Sequence, residues 1–103
     1  MWFAANLLFK STHVPTEAKP TIWEESVRLI QATTEAEALE RAERLGRSGT
    51  HSYQVEDGLV IWHFERDERV YAIDDEELHR GSEVFSRFLR DSEVRSLLKP
   101  FDN

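Results

Sequence analysis

Apolar and polar residues follow the spacing of β-strands over three stretches of the chain. Trp2 to Lys10 is mostly apolar on both faces of an extended strand, which predicts an interior strand. Ile22 to Ala32 alternates cleanly over only half of its length, which leaves one side for solvent or a partner. Leu59 to Phe64 is the densest run of β-branched and aromatic residues, and it predicts a central strand in which Trp62 is almost wholly buried.

Glu35 to Gly46 has helical periodicity. Thr34 and Glu37 have the spacing of a capping box, which predicts that the helix begins here. The outer face predicts three ion pairs in the favourable order, Glu37 with Arg41, Glu40 with Arg44 and Glu43 with Arg47. The stripe predicted to face the sheet comprises Ala38, Leu39, Ala42 and Leu45. This placement makes Leu39 a core residue, whose truncation to alanine would cost about 2 to 4 kcal/mol.

Two turns are predicted on either side of the central stretch. Asp57-Gly58 suits a tight hairpin turn and would place Tyr53 opposite Trp62. Arg66 to Glu68 is a short polar segment that predicts a second turn, after which Val70 to Ile73 alternates again as a fifth strand. The sequence therefore predicts a three-strand meander with the Trp62 strand in its middle.

The last third of the chain predicts one or two short helices. Ser92 is a candidate cap for a helix that runs through Leu98 and ends before Pro100. An earlier apolar stripe has helical spacing and consists of Val84, Phe85, Phe88 and Leu89. The whole pattern predicts an α+β fold, with one five-stranded, mostly antiparallel sheet in the chain order ββαβββ and one main helix on one face.

Length and charge narrow the classes of function. The 103 residues form a single domain, residues 1–103, because a second core has no room. Twenty acidic against 13 basic residues give a net charge of −7, which argues against nucleic acids and anionic membranes as partners. No segment approaches the ~20 apolar residues of a membrane helix. Cysteine is absent, which is consistent with the cytoplasmic location that we expect.

Three segments taken together resemble a known family. They are WFAANLLF at residues 2–9, WEESVRLI at residues 23–30 before a Glu-rich helix, and GSEVFSRF at residues 81–88. In this order, and over nearly the whole chain, the sequence resembles the bacterial domain-of-unknown-function family 4288. The resemblance implies a small, stand-alone bacterial cytoplasmic protein. It implies no activity, so no catalytic residue is carried over from it.

The histidines and the acidic run Asp74-Asp75-Glu76-Glu77 are the candidates for metal or acid–base chemistry. No two of the four histidines have the spacing of a metal motif, and the predicted hairpin puts His51 and His63 on opposite faces. The acidic run lacks the order of a calcium loop and is typical of a charged connection into a helix. We therefore expect no metal, no cofactor and no catalytic residue.

Two hypotheses of function compete. The first is a non-catalytic protein-interaction domain that forms a two-fold homodimer, because one helix covers only one face of the sheet. An unidentified protein partner is a further option within it, and an acidic inhibitor of a basic partner is a variant suggested by the charge. The second is an enzyme or small-ligand binder with a cleft between the 11–21 connection and the C-terminal segment. Its candidate residues are His13, His79, Arg80, Glu83 and Arg87.

Overall fold

The computed structural model describes residues 1–15 and 21–99 of the chain. Its elements are β1 (Trp2–Val14), β2 (Trp23–Gln31), α1 (Glu35–Ser48), β3 (His51–Val55), β4 (Gly58–Ala72) and α2 (Asp91–Leu98). The strands form one antiparallel sheet in the order β2-β1-β4-β3. The α+β class and the single antiparallel sheet are confirmed, and β1 has the interior position expected of a strand that is apolar on both faces.

The described sheet has four strands, so the prediction of five was wrong. Arg66 to Glu68 is not a turn but part of the 15-residue strand β4, which continues through the segment predicted as a separate fifth strand. Phe9 pairs with Phe64 whereas Leu8 pairs with Arg66, so Glu65 is an extra residue on β4. A second register shift lies between Leu7, which pairs with Asp67, and Asn6, which pairs with Arg69. These β-bulges accommodate extra polar residues without ending the strand. A bulged polar segment and a turn therefore look alike in the sequence.

The β3–β4 hairpin is displaced from its predicted register by two residues. Val55 pairs with Gly58, so the two-residue loop is Glu56-Asp57, and Tyr53 lies opposite Val60 instead of Trp62. Gly58 has a φ of +148°, and a Cβ atom there would lie 2.1 Å from the carbonyl oxygen of Val14. Because a slip of two residues preserves the side on which each side chain points, His51 and His63 do lie on opposite faces.

Helix α1 begins as predicted. The hydroxyl of Thr34 accepts a hydrogen bond from the backbone N–H of Glu37. The hydroxyl and the backbone N–H of Thr33 both donate to Glu37 Oε2, which holds the pKa of that carboxyl below its usual value. All three predicted ion pairs are present, with N···O distances of 2.6 Å for Glu37–Arg41, 3.0 Å for Glu40–Arg44 and 2.7 Å for Glu43–Arg47. The outer face of α1 is thus a charged, solvated surface.

The core lies between α1 and one face of the sheet. Its buried residues are Phe3, Ala5, Leu7, Phe9, Ile30, Ala32, Ala38 and Ala42. Leu39 is 41% exposed, so its predicted core position was wrong. The inner line of the helix is made by smaller residues because α1 lies very close to the sheet: a Cβ atom on Gly46 would be 2.3 Å from the ring of Phe64. Trp62 packs on the edge of this core but is only half-buried, contrary to prediction.

The C-terminal segment has one described helix. Residues 82–90 have no regular structure, so the predicted helix through Val84 and Phe88 was wrong. Ser92 lies inside α2, and the residue at its N-cap is Arg90, whose backbone N–H donates to Glu93 Oε1 at 3.0 Å. The predicted end at Leu98 is confirmed, whereas Pro100 and Phe101 lie outside the described residues.

Candidate functional site

The sheet face opposite α1, here called the open face, is crossed in part by residues 82–90, here called the strap. The hydroxyl of Tyr71 on β4 donates to the carbonyl oxygen of Val84 at 3.3 Å and accepts from the backbone N–H of Ser86 at 2.9 Å. Arg69 Nη1 donates to the carbonyl oxygen of Ser86 at 3.0 Å. The Phe85 ring packs beside Tyr71, with centroids 6.3 Å apart. These bonds take up backbone groups that a helix would need for itself, which explains why the strap is not helical.

A polar cluster lies on the open face beside the strap. Asn6, on the central strand β1, is fully buried and its Nδ2 donates to Glu25 Oε2 on β2 at 3.2 Å. The same carboxylate oxygen is 3.9 Å from Arg87 Nη1 of the strap, and the Arg87 guanidinium lies 5.5 Å from the centroid of the Phe85 ring. Asn6 Oδ1 has no hydrogen-bond partner among the described residues. The cluster connects β1, β2 and the strap, and it was not predicted from the sequence.

Tyr71→Phe is expected to loosen the strap without unfolding the sheet. The substitution removes both hydrogen bonds of the hydroxyl, each worth ~1 kcal/mol, so local opening of the strap becomes easier. Hydrogen exchange of the Ser86 amide should accelerate by about tenfold or more. Tyr53→Phe is the matched control, because the Tyr53 hydroxyl accepts a hydrogen bond from the Trp62 indole nitrogen at 3.4 Å and, among the described residues, makes none with the strap. Unchanged exchange at Ser86 would show that Tyr71 does not hold the strap.

A small acidic hollow adjoins the strap where β4 ends. It has a volume of about 240 Å³ and is lined by Tyr71, Ala72, Ile73, Asp74, Asp75 and Glu83. His79 Nε2 lies 3.1 Å from Asp75 Oδ2 at its margin. Within residues 1–15 and 21–99, no group of three or more histidine and carboxylate side chains is arranged to hold a metal ion. The hollow therefore offers negative charge without the geometry of a metal site.

The five residues predicted to line a cleft do not come together. Glu83 and His79 lie near the acidic hollow, Arg80 is exposed next to His79, and Arg87 is on Glu25. His13 pairs with Val60 near the opposite end of β1, roughly 30 Å along the strand from the Tyr71 pair, and its side chain is on the α1 face. Of the predicted 11–21 connection, residues 11–14 belong to β1 and residues 16–20 lie outside the described residues.

Edge strand β2 exposes a row of apolar side chains on the open face. Trp23 is 52% exposed, Val27 42% and Leu29 46%. Lys10 Nζ lies 5.4 Å from the centroid of the Trp23 ring, which leaves the other side of the ring accessible. The sequence predicted that one side of this strand meets solvent or a partner, without deciding which side. The strap leaves this row uncovered.

Helix α2 exposes a second apolar surface. Val94, Leu97 and Leu98 recur at helical spacing, and Leu97 and Leu98 are 53% and 77% exposed. α2 contacts no other strand or helix of the described part of the chain. The radius of gyration is 16.5 Å, compared with about 13 Å for a compact chain of 100 residues. Helix α2, here called the C-terminal arm, thus extends from the body of the domain, and its apolar face has no partner in the described part of the chain.

No helix among the described residues has the length and apolarity that crossing a bilayer requires.

Comparison with known proteins identifies a family but no characterised relative. No curated protein and no solved structure matches the chain. A family model described as "Domain of unknown function (DUF4288)" matches residues 2–86, a range that covers all four strands, α1 and the first half of the strap. The chain belongs to the DUF4288 family.

Proposed function

We propose that this DUF4288 domain is a non-catalytic protein-interaction module that self-associates as a two-fold homodimer. The observation that carries the proposal is the presence of two apolar surfaces, the β2 row and the apolar face of α2, that have no partner among residues 1–15 and 21–99. Identical chains that carry two such surfaces bury both of them reciprocally in a two-fold pair. A stable pair needs a contact of roughly 1,000 Å² or more, which the row and the arm together are suited to supply.

The geometry gives less support to a small-ligand site. Of the five residues predicted for such a site, only Glu83 lines the acidic hollow, and His13 lies at the far end of β1 on the other face. The hollow is also small compared with the roughly 300 to 1,000 Å³ of ligand pockets. A docking surface accounts for the exposed tryptophan and leucines, whereas a ligand in the hollow would leave them in water.

Leu97→Glu tests this function. Light scattering of the wild-type chain at micromolar concentration should give about 24 kDa, twice the chain mass of 12.1 kDa. A charge on the apolar face of α2 is costly to bury, so Leu97→Glu should raise the dissociation constant at least about tenfold. Ser96→Glu is the control, because it adds the same charge at a neighbouring polar position. A mass of 12.1 kDa for the wild type at every concentration, or equal effects of the two variants, would contradict the proposal.

A further inference from the structure

The backbone groups on the outer side of β2 can be assigned from two hydrogen bonds. Ala32 N–H donates to the carbonyl of Met1, and Ser11 N–H donates to the carbonyl of Ile22. Because the direction of backbone groups alternates along an antiparallel strand, the even-numbered residues of β2 face β1 and the odd-numbered residues face outward. Since β2 is an edge strand of the described sheet, five residues present outward N–H and C=O groups, namely Trp23, Glu25, Val27, Leu29 and Gln31.

We propose that β2 pairs antiparallel with β2 of a second copy, with Ser26 on the two-fold axis, so that two four-stranded sheets join into one of eight strands. The inference rests on the proposed self-association and names the surface and the register by which it occurs. In this register Glu25 and Val27 of each copy exchange backbone hydrogen bonds, as do Trp23 and Leu29. The outward groups of these four residues are then satisfied without any change in the fold of the protomer.

Side-chain pairing selects this register over its neighbours. With Ser26 on the axis, Trp23 lies opposite Leu29 of the second copy on the open face, and Glu24 lies opposite Arg28 on the α1 face. With Glu25 on the axis, two identical carboxylates would face each other, which is destabilising. With Val27 on the axis, Glu25 would face Leu29 and leave Trp23 opposite Gln31. Of the three registers, only the Ser26 register pairs opposite charges, Glu24 with Arg28, and it also pairs Trp23 with Leu29. Glu25 then lies opposite Val27, but its carboxylate already has Asn6 and Arg87 as partners within its own chain.

Glu24 and Arg28 are free to take these roles. Both side chains are exposed, and Glu24 forms no ion pair within residues 1–15 and 21–99. Arg28 Nε donates to Ser26 Oγ at 2.7 Å, which holds the guanidinium over the centre of the strand, near the proposed axis. Charges on an edge strand discourage pairing with foreign strands. Here their order along the strand complements its own antiparallel copy.

The C-terminal arm is placed to reinforce the same contact. Arg87 of the strap lies 3.9 Å from Glu25 on β2, the edge strand that we assign to the interface. α2 begins four residues later and can start up to about 14 Å from Arg87. From there its exposed apolar face, which includes Leu97 and Leu98, can lie on the β2 row of the second copy. The apolar face of α2 in each copy would then cover the β2 row of the other copy, and the two-fold axis makes this contact twice.

Ser26→Cys tests the register by cross-linking. Residues directly opposite in a non-hydrogen-bonded antiparallel pair have Cα atoms about 4.5 Å apart, within the range of roughly 4.4 to 6.8 Å for disulfides. The native chain has no cysteine, so any disulfide involves the introduced thiols alone. Under mild oxidation, Ser26→Cys should form a covalent dimer at least about tenfold faster than the control Ser52→Cys on β3, at the opposite edge.

A charge exchange provides an independent readout. Glu24→Arg and Arg28→Glu each place two pairs of like charges across the axis and should raise the dissociation constant roughly tenfold. The double variant restores both attractive pairs and should dimerise like the wild type. If the wild type is dimeric but Ser26→Cys cross-links no faster than Ser52→Cys, or the double variant shows no rescue, the inferred register is wrong while the self-association stands. A monomeric wild type would overturn both.

Discussion

Leu7→Ala is expected to lower the free energy of unfolding by about 2 to 5 kcal/mol. Leu7 is on the central strand β1, is completely buried, and belongs to the core that β1 shares with α1. Truncation removes apolar contacts that the close-packed helix cannot restore, because Ala38 and Ala42 already bring its backbone near the sheet. The loss is measured by urea denaturation followed by circular dichroism, at a protein concentration held constant across variants.

Leu39→Ala is the matched control for Leu7→Ala. The substitution is chemically identical, but Leu39 is 41% exposed, so it should cost less than about 1 kcal/mol. A difference between the two variants places the core on the α1 face as described. Equal losses, or a larger loss for Leu39→Ala, would show that the helix turns a different side to the sheet.

Periodicity was sufficient for α1 but not for its exact orientation. The capping residue Thr34 and the three ion pairs depend only on local spacing, and they were predicted correctly. Which residues of α1 contact the sheet depends on how closely the helix approaches it. At close approach the innermost positions admit only alanine and glycine, so Leu39 is displaced to the flank while Gly46 touches Phe64. Of the predicted stripe, Ala38 and Ala42 are in the core and Leu45 packs against it, so only Leu39 was misplaced. Hydrophobicity alone ranks leucine above glycine and therefore put Leu39 in the core.

The ends of strands were predicted wrongly where pairing with a neighbouring strand determines them. The bulges of β4 opposite Leu7 and Leu8 are visible only in the register with β1, whereas the sequence shows a polar segment between two alternating ones. The helix predicted for the strap was wrong for a related reason. Its residues have helical spacing, but tertiary hydrogen bonds with Tyr71 and Arg69 occupy the backbone groups that a helix would use. Local pattern is a weak guide when a distant side chain competes for the same backbone groups.

The polar cluster was predictable only in outline. Asn6 in an apolar strand and Glu25 within an apolar row are both anomalies that the sequence displays. Their contact requires the β1–β2 register, in which Asn6 pairs with Val27 and Leu8 with Glu25. Arg87 was singled out for a ligand site, yet its structural partners are Glu25 and Phe85. For the second strand, incomplete alternation predicted that one side is open, but not that the apolar side with Trp23, Val27 and Leu29 is exposed.

Val27→Pro is expected to abolish dimerisation at micromolar concentration while leaving the protomer folded. Proline is tolerated on an edge strand where the N–H points away from the sheet, as it does at this odd-numbered residue. In the dimer each Val27 N–H donates to Glu25 of the other copy, so both bonds are lost and the ring blocks the approach of the strands. The dissociation constant should rise at least about 100-fold, equivalent to about 2.7 kcal/mol.

Ser26→Pro separates this effect from general damage to β2. Ser26 has its backbone groups directed toward β1, where it pairs with Leu7, so proline there breaks the sheet of the protomer itself. We expect Ser26→Pro to lower the unfolding midpoint sharply, whereas Val27→Pro retains the wild-type circular dichroism spectrum and loses only the dimer. Val27→Pro that unfolds, or that remains dimeric, would be incompatible with an outward-facing N–H in the interface.

Amide hydrogen exchange along β2, measured as a function of protein concentration, is the most direct test of pairing between the edges of two copies. The outward amides of Trp23, Glu25, Val27 and Leu29 should become protected as the concentration rises from monomer to dimer. Ser52 and Gln54 are the outward amides at the other edge, on β3, and should exchange quickly throughout. Protection of the four β2 amides that increases with concentration is the predicted result. Exchange at these amides that stays as fast as at Ser52 and Gln54 at every concentration would contradict it.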